Sequence, residues 1–159
     1  MDSFVKIIII IFTELTEYAD EYNNLVEKTY YASRDLKVHW SDALVTCKAF
    51  GMDLVELPLK AEADVFFSLC SQQQYHLNDN YYHVGATYIG AGLNNWYWMT
   101  TGKRISYALW YAPGQPDNKD GKEHFLSVYK NGGSFSFNDL DYNLTKWNFF
   151  CQHISNSTY

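Results

Sequence analysis

"GQPDNKDGKEHF", Gly114 to Phe125, crowds a proline, amides and acids into a stretch with no hydrophobic period. Turn chemistry accounts for such residues by itself, because Pro, Gly, Asn and Asp are what turns use. The surrounding loop, Ala108 to Lys122, is nevertheless long for a compact domain, and loops of that length are usually functional or disordered. A second reading has Gln115, Asp117 and Glu123 aimed at one point. Further along, "FND", Phe137 to Asp139, ends a short strand and adds Asn138 and Asp139. Oxygens from acids and amides suit Ca²⁺, which takes about 6–8 hard ligands. Three negative charges would offset the dication. His39, His76, His83, His124 and His153 are scattered, without the spacing a softer metal needs.

Working outward, the chain has 159 residues and fits one domain. Its 47% hydrophobic and 18% aromatic content is that of a folded chain with a core. The net charge of −6, with no basic stripe, argues against nucleic acid. "VKIIIIIF", Val5 to Phe12, is too short to span a bilayer and has the length of a signal-peptide core. Residues 1–19 are therefore expected to be a secretory leader, the alternative being a short buried strand. Sequons at Asn143 and Asn156 agree with export.

"KTYYASRDLKV" reads as strand or hairpin. "SDALVTCKAFG" reads as a helix capped by Ser41 and stopped by Gly51, with Ala43, Leu44, Cys47 and Phe50 on one face. "DLVEL" reads as a short strand. "KAEADVFFSLC" reads as a second helix with Ala63, Phe66, Leu69 and Cys70 along one side. From Tyr81 onward come short strands, "YYHVGA", "WYWM", "RISYAL", "EHFLSVY", "GSFSF" and "KWNFFCQ", punctuated by glycines. Two helices followed by antiparallel strands predict an α+β fold.

These motifs, in this order, resemble a C-type lectin domain over about Tyr30 to His153. Cys47 stands in the first helix, "HVGA" where the family has its core strand, and "WYW" with Trp110 before the long loop. "GQPDN" matches the sugar-specificity motif, "EHF" and "FND" follow, and "FFCQ" closes the domain. The resemblance implies a carbohydrate-recognition domain over residues 28–154, with two helices, short antiparallel sheets and a long calcium- and sugar-binding loop. It implies one Ca²⁺ held by Gln115, Asp117, Glu123, Asn138 and Asp139, a cis Pro116, and a disulfide between Cys47 and Cys151. Vicinal sugar hydroxyls would bind among Gln115, Asp117, Glu123 and Asn138, with Lys119 beside them. A Gln-Pro-Asp order is similar to that of family members preferring galactose-type hydroxyl pairs, so the expected partners are glycans with such terminal sugars. Small secreted invertebrate lectins resemble the chain most, which implies glycan recognition in innate immunity.

The chain departs from the family pattern in three places. Lys119 stands where many galactose binders have Trp; Phe135, Phe137 and Trp96 are alternative faces, each more simply read as packing. The inner disulfide is replaced by Phe125 and Tyr142, an aromatic pair that can fill the space. "YIGAGLNN" carries no acid for an auxiliary calcium. Cys70 is left over, and reads either as a buried small residue or as a bridge to a second chain. A protein-binding domain on the same fold is the alternative function, but such members usually lose calcium ligands and this chain keeps five. An enzyme is not expected: no nucleophile elbow or HExxH occurs, and a Glu123–Asp139 glycosidase pair would be consumed as ligands.

Overall fold

A computed structural model describes residues 4–12, 26–90, 95–141 and 145–156. Within them the chain forms β1 (Phe4–Phe12), β2 (Val26–Ser33), α1 (Trp40–Ala49), β3 (Asp53–Leu54), α2 (Lys60–Cys70), β4 (Tyr81–Tyr88), β5 (Trp96–Trp98), β6 (Glu123–Asn131), β7 (Ser134–Asp141) and β8 (Asn148–Asn156). The main sheet runs β1-β2-β8-β4-β6-β7, with β3 joined to β8 and β5 to β4. All pairs are antiparallel except β4 with β8. That one pair departs from the expected antiparallel sheets. A parallel pair needs a long crossover, and the chain between Tyr88 and Asn148, which includes the long loop, supplies it.

The predicted second helix matches α2 end to end. Ala63, Phe66 and Cys70 are buried as expected; Leu69 is only half-buried, and Phe67 and Glu62 are buried with them. The first helix starts one residue earlier than its expected Ser41 cap. His39 holds the N-cap position in extended conformation without a side-chain bond. The buried Trp40 indole donates from Nε1 to Val84 O at 2.7 Å, which draws Trp40 into the first turn. Gly51, at φ 71°, ends α1 as predicted. Phe50 has left the helical face at the C-cap, and is 61% exposed. "RISYAL" is not a strand. It meets β5 through one isolated bridge, Arg104 to Tyr97, and the residue after it, Trp110, makes another to Phe137; β5 is only three residues long.

The larger core cluster lies between α2 and the inner face of the sheet, where Tyr30, Phe66, Tyr82, Val84, Trp98, Leu126, Val128, Phe137 and Phe150 are buried. Phe66 meets Tyr30 and Phe150 edge-on, at 4.8 and 5.1 Å. The smaller cluster joins Trp40, Ala43, Cys47, Leu54, Phe149 and Cys151. Inside it Cys47 is bonded to Cys151, with Cα atoms 5.6 Å apart, as the resemblance implied. The bridge closes 104 residues of separation, worth about 4.7 kcal/mol on chain-entropy grounds. At Gly85 the backbone of β4 passes close to that of Leu54 and Val55. A Cβ there would lie 3.1 Å from Leu54 O and 3.2 Å from Val55 O.

Phe125 lies against Trp40, with ring centroids 4.4 Å apart, so an aromatic contact does occupy that region. Its expected partner Tyr142 lies outside the described residues, as do Asn143 and the end of the second sequon. Cys70 is 3% exposed, and burial pushes its thiol well above the ordinary range. The apolar N-terminal run forms β1, paired antiparallel with β2 from Phe4–Ser33 to Phe12–Val26. Residues 1–3 and 13–19 of the expected leader lie outside the described residues. Among the described residues no helix is long and apolar enough to cross a membrane.

Candidate metal and ligand site

The loop after Trp110 is turned back by two local devices. The Gln115–Pro116 peptide bond is cis, as expected. Asn118 and Asp120 then adopt left-handed conformations, at φ 44° and 56°, which their short polar side chains tolerate better than most. A short 3-10 element, Lys119–Gly121, contains Asp120 and delivers the chain into β6 at Glu123.

Asn118 is the brace of this arrangement, and the sequence reading did not single it out. Its N–H donates to Asp139 Oδ2 at 2.7 Å, and its Oδ1 accepts from Glu123 N–H at 3.0 Å. The loop is thereby fastened to β6 and β7 at once. Lys119 N–H donates to Glu123 Oε2 at 3.0 Å, while the Lys119 side chain stays exposed. An Asx residue bonding to nearby backbone is the signal that could have marked Asn118.

Carboxylate oxygens of Asp117, Glu123 and Asp139 lie within 4.8 Å of one another. Asp117 is exposed, Glu123 half-buried and Asp139 fully buried. Among the described residues no Lys or Arg ion pair reaches any of the three. The Glu123 carboxyl is pushed up to about 7, first by desolvation and then by the negative charges of Asp139 and Asp117; the Lys119 N–H bond opposes this. Burial likewise raises Asp139, against the Asn118 hydrogen bond.

Three oxygens at this place are buried without any hydrogen-bond partner: Gln115 Oε1, Asn138 Oδ1 and Asp139 Oδ1. A buried polar atom left unpaired costs about 1–3 kcal/mol. Three acceptors, two of them amides, are therefore held out of water beside a cluster of like charges. A hard dication removes both penalties at once, since it takes oxygens only and neutralises the carboxylates. The donor set contains no sulfur or imidazole, and fits calcium or another hard ion. All five expected ligand residues thus fall at this end of β6 and β7 or in the loop facing it. The alternative aromatic faces do not: Trp96, Phe135 and Phe137 are 2%, 8% and 1% exposed and belong to the core.

No family model matches the chain. Over 117 residues, 72% of the chain, it is 25% identical to C-type lectin 37Da of Drosophila melanogaster, covering 60% of that protein. A 32-residue stretch, a fifth of each chain, is 53% identical to salivary C-type lectin 2 of Aedes albopictus. The chain therefore spans less than two thirds of the length of either relative. Among solved structures, the C-type lectin domain of murine dendritic cell inhibitory receptor 2, in complex with N-glycan, superposes with a TM-score of 0.61. That likeness covers 80% of this chain and 91% of the other at 22% identity. The chain has the C-type lectin fold.

Proposed function

We propose that the protein is a secreted, calcium-dependent carbohydrate-binding module with a preference for galactose-type sugars, used to recognise glycans in innate immunity. The observation that carries this reading is the set of three unpaired buried oxygens beside three carboxylates that pair with no Lys or Arg among the described residues. Gln115, Asp117, Glu123, Asn138 and Asp139 would hold one Ca²⁺. When bound, the ion supplies open coordination positions for two adjacent sugar hydroxyls. The residues of the chain do the discriminating. Asp117 and Glu123 accept a hydrogen bond from a sugar hydroxyl, and the amide groups of Gln115 and Asn138 donate one. The order of acid and amide around the site therefore selects which pair of hydroxyls fits. The names of the relatives, both C-type lectins and one salivary, support carbohydrate binding and export. So does the glycan in the similar structure.

Calorimetry tests the metal half of this reading. One calcium site of moderate affinity is expected, on the order of 10⁻⁴–10⁻³ M as in extracellular modules. Asp139→Ala should abolish it together with elution from immobilised galactose by chelator. Two calcium sites, or an Asp139→Ala protein that binds calcium like the parent, would remove the basis of the proposal.

A further inference from the structure

The outer face of the sheet carries a row of aromatic rings that neither the core nor the cation site uses. Tyr81 stands opposite Tyr129 across β4 and β6, and Tyr129 opposite Ser136 across β6 and β7. Residues opposite one another share a face, and faces alternate along a strand. Val128 and Phe137 are buried in the core, so Tyr129 and Ser136 point outward. Tyr111 runs alongside β7, its N–H donating to Phe137 O at 3.0 Å. The small Ser136 between them lets the Tyr111 ring reach Tyr129. Successive centroids lie 4.8 Å apart from Tyr111 to Tyr129, 4.9 Å on to Tyr81 and 4.9 Å on to Trp147. Tyr111 is 39% exposed and the other three rings are half-buried, so the row is wet along one side.

We propose that this row is an extended sugar subsite, taking the inner residues of a neutral oligosaccharide whose terminal sugar sits at the loop site. The inference rests on the carbohydrate-binding reading and names the size of ligand it implies. Continuity argues for it: Tyr111 belongs to the same loop as Gln115 and Asp117, and Ser136 lies two positions from Asn138 on the same face of β7. Chemistry argues for it too. A pyranose has an apolar C–H face and a hydroxylated rim. Phenol rings match both, with an apolar body and a polar tip, and lose little side-chain entropy on contact. The cation at the far end, Lys37, is already paired with Asp79, so the row suits a neutral chain over an anionic one.

Calorimetry in calcium with galactose and with β1,4-linked galactotetraose separates the two ideas. The parent should bind the tetraose about tenfold tighter than galactose, equal to about 1.4 kcal/mol. Tyr129→Ser should bring the tetraose down to the level of galactose while leaving galactose itself unchanged, and Tyr129→Phe should keep the advantage. Should Tyr129→Ser not fold, Tyr111→Ser at the exposed end of the row reads the same loss. Equal affinity of the parent for both sugars would overturn the row and leave the loop site standing. So would a tetraose affinity that ignores Tyr129→Ser, or a parent dimer that this substitution splits. Tetraose binding that depends on Tyr129 without any galactose binding would support the row and overturn the loop site, and absence of both would overturn both.

Discussion

Glu123 holds its proton more tightly in the folded chain than in water, near pH 7 against an ordinary 4.5, with desolvation the main cause. A carboxyl raised in this way stabilises the folded state fully below its unfolded pKa, and the contribution is lost as pH rises through the folded value. Asp139 is shifted in the same direction. With calcium chelated, the melting temperature should therefore rise as the buffer is taken from about pH 8 to about pH 5, and Glu123→Gln should flatten that slope. With calcium present the direction reverses, because protons and metal compete for the same oxygens. Scanning calorimetry with and without chelator reads both, and a chelated protein that loses stability on mild acidification would contradict the account. Specificity belongs to this scale as well. Exchanging acid and amide, Gln115→Glu with Asp117→Asn, should turn the ranking from galactose towards mannose while calcium still binds. Competition by the free sugars would show it, and an unchanged ranking would mean the loop does not set the preference.

Between helix and sheet, the decisive contact is one that hydrophobic patterning hides. Glu62 sits in the first turn of α2, 5% exposed, and accepts from Lys28 Nζ and from Tyr30 OH, both on β2. Lys28 also donates to Glu56 O at 3.0 Å. Removing one partner leaves the other charged and dry, which costs about 3–5 kcal/mol. Glu62→Leu should lose stability on that scale in urea denaturation, and adding Lys28→Met should restore most of it. Equal losses in the single and double variants would show that packing, not charge, holds α2 to β2. The two helices were legible from periodicity, because each depends on neighbours in sequence, whereas the grouping of Gln115, Asp117 and Glu123 with the distant Asn138 and Asp139 came from the family resemblance and not from the residue types. The Lys28–Glu62 pair was not, since it joins residues 34 apart on elements whose pairing the pattern does not state. Phe50 misled because the helical period was carried one residue past α1. The tyrosine row depends on strand register, which alternation in a single strand cannot supply.

At the scale of the molecule, Val26 and Asn156 pair at the outer ends of β2 and β8, while β1 lies on the other side of β2 with Phe4 opposite Ser33, at the far end of that ladder. A pull applied at Val26 and Asn156 peels the β2–β8 ladder one residue pair at a time, the weakest way to load a sheet. The peeling cannot run far. Everything between Cys47 and Cys151 is held by a covalent bond, and the loop proposed to bind sugar lies inside that span. β2 and the end of β8 can thus be drawn apart while the span between the two cysteines stays closed. In single-molecule extension the oxidised protein should pay out only the chain outside the bridge. Adding reductant should release a further 104 residues, roughly 340–370 Å of contour at about 3.3–3.6 Å per residue. An equal extension in both conditions would mean the bridge bears no load. On the proposed carbohydrate-binding reading, a module built this way would serve as a tether, keeping hold of a surface that shear is trying to carry off.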